Sequence, residues 1–153
     1  MNFGTIIRGE IDLLKLELEK GIDVNQKDEF GNTALHIACD EGYINIVKLL
    51  LKYPVNINTK GLHDYTPLLY AISNRNTDLV VLLLKHKANI NCQDDEGNSA
   101  IMTAVMRYRK GDTSVIETLL EHGADPKTPN KHGITLYKLL DMPRKKEIAH
   151  LFE

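Results

Sequence analysis

Apolar residues fall into a short-period pattern between Asp28 and Asn58. Ile46, Leu49 and Leu50 stand at i, i+3 and i+4, and so do Val47, Leu50 and Leu51, the spacing of one buried helix face. A shorter apolar group precedes them: Leu35, Ile37, Ala38 and Cys39. Thr33 opens that group, because its hydroxyl can accept from a helix-start N–H that has no intrahelical partner. Gly42 divides the two groups, since glycine takes the left-handed conformation that ends a helix without steric cost. Upstream, Asp28-Glu29-Phe30-Gly31-Asn32 is turn chemistry. The stretch therefore predicts a turn, a short helix, a break and a second short helix. Isolated helices below about 12 residues are marginal in water, so such a unit needs neighbours.

The same unit returns along the chain. Thr33-Ala-Leu-His recurs as Thr66-Pro-Leu-Leu, as Ser99-Ala-Ile-Met and weakly as Thr135-Leu-Tyr-Lys, at steps of 33, 33 and 36 residues. Ile46-Val-Lys-Leu-Leu-Leu reappears as Leu79-Val-Val-Leu-Leu-Leu and as Val115-Ile-Glu-Thr-Leu-Leu. A closing phrase runs through Gly21-Ile-Asp-Val-Asn, Pro54-Val-Asn-Ile-Asn, Lys87-Ala-Asn-Ile-Asn and Gly123-Ala-Asp-Pro-Lys. A fixed period of this length predicts a helical solenoid.

Gly31-x-Thr33-Ala34-Leu35-His36-x-Ala38, with Gly42, Ile46-Val47-x-Leu49-Leu50 and the Asn58 close, resembles the ankyrin repeat family over roughly residues 5 to 152. The resemblance implies one all-α domain, 1–153, built as a helix-turn-helix solenoid. Its three internal repeats are 26–58, 59–91 and 92–126. Divergent caps flank them at 1–25 and 127–153, and the hairpin loops project to one side of a concave face. It also implies that His36 bonds Thr33 and stiffens the helix start.

The units depart from that pattern in particular places. The first cap reads as helices over Asn2–Arg8 and Ile11–Lys20, with Glu17 and Glu19 suiting an outer face that meets water. Pro54 stands where glycine is usual, Asp64 replaces the hairpin glycine, and Leu69 replaces the histidine. Pro67 falls at a first helical position, where its missing N–H is no loss. Three extra residues lie between Ala104 and Gly111, predicting either an extra near-turn of helix or a longer loop. In the last unit Met142-Pro143 interrupts the first helix, and Ile148, Leu151 and Phe152 predict an inward-packed terminal helix.

Composition changes this picture little. An apolar fraction of 42% and a charged fraction of 26% suit a soluble globular chain. The net charge of −2 sets up no global field for nucleic acid or an anionic membrane. No signal-peptide pattern opens the chain, and no apolar run reaches the ~18 residues of a spanning helix. Cys39 and Cys92 fall at different points of the repeat, so no disulfide and a cytoplasmic location are expected. Charge is uneven by unit: residues 92–126 carry seven acids and three bases, and residues 127–153 carry six bases and three acids. Opposite patches side by side suit a charged protein partner, and a monomer with no cofactor is expected.

Candidate chemistry is sparse. His36-x-x-Cys39 shares a helix face, but zinc wants four ligands, or three and water, so no metal site is expected. No phosphate-cradling glycine loop or nucleophile elbow is present, and a non-catalytic protein is expected. Arg107-Tyr108-Arg109-Lys110 is basic with an interleaved aromatic; protein contact is preferred over nucleic acid there, since arginine and tyrosine are enriched at interface hot spots. Asn25, Asn58 and Asn91 recur at 33-residue steps. The resemblance raises their hydroxylation by a host enzyme, while loop hydrogen bonding accounts for them more simply. Unmodified peptide masses from native cells would end the hydroxylation reading.

By register with the family, the expected protein-binding face holds the hairpin tips Glu29, Phe30, Leu62, His63, Asp95 and Glu96. It adds Asn32 and Tyr65 before the helix openings, and Asp40, Glu41, Asn74, Met106, Arg107 and Tyr108 at the first-helix ends. Phe30, Leu62 and Tyr65 would be apolar anchors and the charged residues would set orientation. The expected function is non-catalytic protein–protein interaction, with an inhibitor or immunity-type protein that blocks an enzyme or toxin as the alternative.

Overall fold

The computed structural model describes residues 1–153. Nine α-helices follow in order: α1 Phe3–Ile7, α2 Ile11–Glu19, α3 Ala34–Asp40, α4 Ile44–Leu50, α5 Pro67–Ser73, α6 Thr77–Lys85, α7 Ala100–Arg107, α8 Ser114–Glu121 and α9 Leu136–Leu140. Two 3-10 segments, Leu62–Asp64 and Lys146–Phe152, complete the secondary structure. No helix is long and apolar enough to cross a membrane.

The helices form two layers. First helices α1, α3, α5, α7 and α9 pack side by side, and second helices pair as α2 with α4 and α6 with α8. Each unit hinges on its opening residue. Thr66, Ser99 and Thr135 hold extended backbone, and their hydroxyls accept from Leu69, Met102 and Lys138 N–H. Pro67 occupies the first helical position of α5. One continuous core runs from Ile6 to Ile148. Its register is regular: Leu35, Leu68 and Ile101 share one position and are all buried, as are Ile46, Leu79 and Val115 at another. The fold is the helical, strand-free solenoid that the repeat predicts, with the paired helices and one-sided hairpins that the resemblance implies.

The structure corrects the expected details at several points. The fourth unit divides its extra residues between helix and loop. Helix α7 has 8 residues where α3 and α5 have 7. A tight turn follows, closed by Asp112 N–H donating to the Arg109 carbonyl at 3.0 Å. The terminal helix is 3-10, with Ile148 buried but Leu151 and Phe152 only half-buried. The first cap is not purely polar outside. Leu13, in register with Ile46 and Leu79, is 50% exposed, and Ile7 and Leu16 are exposed beside it. Asp64 takes left-handed backbone as expected (φ 57°), and so does His63 (φ 54°).

Candidate functional site

The hairpin edge is built from a repeated side-chain turn. The Asp28 carboxylate accepts from Phe30 and Asn32 N–H at 2.9 and 2.8 Å. Asp94 does the same for Glu96 and Asn98, and Asn130 for His132 and Ile134. The third hairpin has Gly61 at this position. Asn32 of the preceding hairpin substitutes, its Oδ1 accepting from Leu62 N–H at 3.1 Å. A Cβ at Gly61 would lie 2.2 Å from that oxygen, so the glycine makes room for its neighbour's side chain.

The tips then stack on one another. Asp95 N–H donates to the His63 carbonyl and Lys131 N–H to the Glu96 carbonyl, both at 3.0 Å. His63 Nδ1 lies 3.0 Å from Asp95 Oδ2, and His132 pairs with Glu96. Gly97 sits beneath this contact at φ +80°, where a Cβ would fall 2.8 Å from Lys131 N. Backbone–backbone bonds therefore link the third, fourth and fifth hairpins into one edge.

His36 ties the first helix of its unit to the next hairpin. Thr33 N–H donates to its Nδ1 at 3.0 Å, which makes Nδ1 the acceptor and places the ring proton on Nε2. Nε2 lies 2.9 Å from the Thr59 carbonyl and 3.1 Å from the Tyr65 carbonyl. The Thr33 hydroxyl is 2.8 Å from Nδ1. Burial holds the imidazole below its ordinary value of 6.5, because charging it would cost solvation. Both nitrogens are spent on this bridge. Cys39, one turn on, is fully buried, and burial with nearby Asp40 pushes its thiol up. The His36–Cys39 pair is thus part of the core.

The residues of the expected face separate into two groups. Phe30 at 58% and Leu62 at 42% are exposed on neighbouring tips, with Glu29 exposed beside Phe30. Asp40, Glu41, Met106 and Arg107 are exposed at the helix ends. Others bond within the stack. Tyr65 is half-buried, edge-on to Tyr70 with centroids 5.2 Å apart. Asn32 serves the next hairpin, and Asn74 Nδ2 donates to the Asp40 carbonyl and carboxylate. Asp95, Glu96 and His63 join the tips. Tyr108 donates to Glu147 at 2.7 Å and accepts from Gly111 N–H.

The recurring asparagines bond across units as well as within them. Asn25 Oδ1 accepts from Asn56 N–H, Asn58 from Asn89 N–H at 2.7 Å, and Asn91 from Asp125 N–H at 3.0 Å. The residue two before each closes a local turn: Asp23, Asn56 and Asn89 accept from Asn25, Asn58 and Asn91 N–H. Sequence reasoning placed these side chains in loop hydrogen bonding and missed that the acceptors reach the next repeat.

Family models agree with this register. One for ankyrin repeats in three copies matches residues 55–130, and one for ankyrin repeats in many copies matches residues 16–61. Among similar proteins, an ankyrin repeat protein of fowlpox virus (strain NVSL) is 61% identical over 31 residues, 20% of this chain and 7% of that protein. Protein phosphatase 1 regulatory subunit 27 of human and of mouse is 45% identical over 38 residues, 25% of this chain and 25% of each of those proteins. The matched stretches thus span a quarter or less of these relatives. With units recognised in register from residue 16 to residue 130 and the paired helices and stacked hairpins to match, the chain belongs to the ankyrin repeat family.

Proposed function

We propose that this chain is a non-catalytic protein-binding module that holds a protein partner against the hairpin edge and the exposed ends of its first helices. Ankyrin repeats are a general protein–protein interaction module. The observation that carries the reading is the pair Phe30 and Leu62, two large apolar side chains exposed on adjacent tips whose own backbones are fixed by hydrogen bonds. An apolar anchor on a preorganised loop loses little conformational entropy on binding, and such anchors dominate interface energetics. Asp40, Glu41 and Arg107 supply charge for orientation.

Tyr65 contributes differently from Phe30 and Leu62. Its ring packs edge-on against Tyr70, so it shapes the face and truncating it would disturb that packing. The informative variant is Phe30→Ala/Leu62→Ala. Affinity capture from the source lysate, read by mass spectrometry, should retain a partner with the wild type and lose it with this variant at unchanged melting temperature. Equal capture by both would move the site elsewhere.

A second reading makes the partner an enzyme that the bound chain blocks. The likeness to a phosphatase regulatory subunit favours it over a purely scaffolding role. Assaying the captured enzyme with and without added chain separates the two.

A further inference from the structure

We propose that the groove between the Tyr108–Gly111 turn and the Pro143–Glu147 segment is a second binding site, for an acidic segment of a partner protein. It lies at the far ends of the first helices from the hairpin tips. Its larger lobe, about 720 Å³, runs between Tyr108, Arg109 and Lys110 on one wall and Arg144 and Lys145 on the other. A smaller lobe of about 370 Å³ shares Met106, Tyr108 and Arg109 and extends to Arg75 and Arg107.

The groove is net positive, and most of its cations have no ion-pair partner. No carboxylate lies within 4.0 Å of Arg107, Arg109, Lys110, Arg144 or Lys145, while Arg75 meets Asp112 at 3.6 Å. Nor is the charge loosely held. Lys145 Nζ crosses the groove to donate to the Met106 and Tyr108 carbonyls, both at 3.2 Å, and sits 5.2 Å over the Tyr108 ring. Glu147 is engaged by the Tyr108 hydroxyl. Partial burial, and secondarily the neighbouring Arg144, hold Lys145 below its usual range. The turn that builds one wall comes from the fourth unit's extra residues, which the repeat itself does not require.

An acidic peptide fits these features. Guanidinium groups match carboxylates in bidentate geometry, and several like charges along one groove add their fields. A phosphate backbone fits less well than a carboxylate segment, because Glu147 stands in the lining and Asp112 is paired with Arg75 beside it, and the chain as a whole is net negative. The groove shares Arg107 with the hairpin-edge reading but neither Phe30 nor Leu62, and the charge reversals below change only Arg109 and Lys110 of its residues, so the two readings can fail separately.

The test is fluorescence anisotropy of a labelled deca-glutamate peptide titrated with the full chain at low ionic strength. Wild type should bind, and affinity should fall with added salt. Arg109→Glu/Lys110→Glu, on an exposed turn, should weaken binding by about tenfold or more without changing the melting temperature. Lys15→Glu/Lys20→Glu, an equal charge change on α2, and Phe30→Ala/Leu62→Ala should both leave it intact. Three results would overturn the proposal: no binding by folded wild type, equal weakening by both charge reversals, or tighter binding of a labelled uridine decamer than of the peptide.

Discussion

His36 shows how one side chain links units in this chain. Its neutral ring accepts at Nδ1 from Thr33 and donates at Nε2 toward the Thr59 and Tyr65 carbonyls. Lys27 disfavours its charged form and Asp28 favours it, but burial dominates and the folded value lies below 6.5. The unfolded chain therefore binds more protons just below that pH. Stability is present in full above it and is lost as pH falls toward the folded value. His36→Leu, the residue that stands at the equivalent Leu69, should cost about 1–3 kcal/mol at neutral pH, chiefly by stranding the buried Thr33 N–H. It should also flatten this part of the stability–pH curve, measured by urea melts at a series of pH values. Thr103 is the converse case. Its hydroxyl is buried without a hydrogen-bond partner, so Thr103→Val should raise stability by about 1 kcal/mol; a loss in thermal melting would show an unseen partner. The Thr33–His36 pairing was implied by the resemblance to the ankyrin repeat family. The reach of Nε2 to residues 23 and 29 positions away was not, because it depends on how closely the next hairpin stacks.

At the scale of the element, turns and helix starts were the most legible, since they rest on local chemistry: Thr66, Pro67, Ser99 and Thr135 all do what their residue types predict. What the sequence hid lies between elements. Asp95 and Glu96 looked like free orienting charges, yet each pairs with a histidine on an adjacent tip, and the stacking height that permits this is a property of the assembled stack. Cys92 lies in the inter-repeat loop as expected, but it is buried and receives the Thr66 hydroxyl. Gly97 combines left-handed backbone with the close approach of Lys131 N, so Gly97→Ala should cost about 2 kcal/mol or more and loosen the fourth and fifth hairpins. Lys87 poses the opposite case, a side chain at φ 66° where Gly123 serves the next unit. Lys87→Gly should therefore stabilise by about 0.5–1 kcal/mol; an unchanged or lowered melting temperature would mean that the lysine side chain compensates for its backbone.

Across the whole molecule, stability is shared between neighbours, because each unit touches only the next. Leu50 is fully buried in the second unit, and Leu50→Ala should cost about 2–5 kcal/mol and unfold the middle of the stack. The stack leaves one edge of fixed hairpins carrying Phe30 and Leu62. The central claim is that a partner binds there. Hydrogen–deuterium exchange of the chain, free and saturated with its captured partner, tests it most directly. The account predicts new protection in the hairpins at residues 28–32 and 61–65 and at the ends of α3 and α5, with α4, α6 and α8 unchanged. Protection confined to those second helices would contradict it.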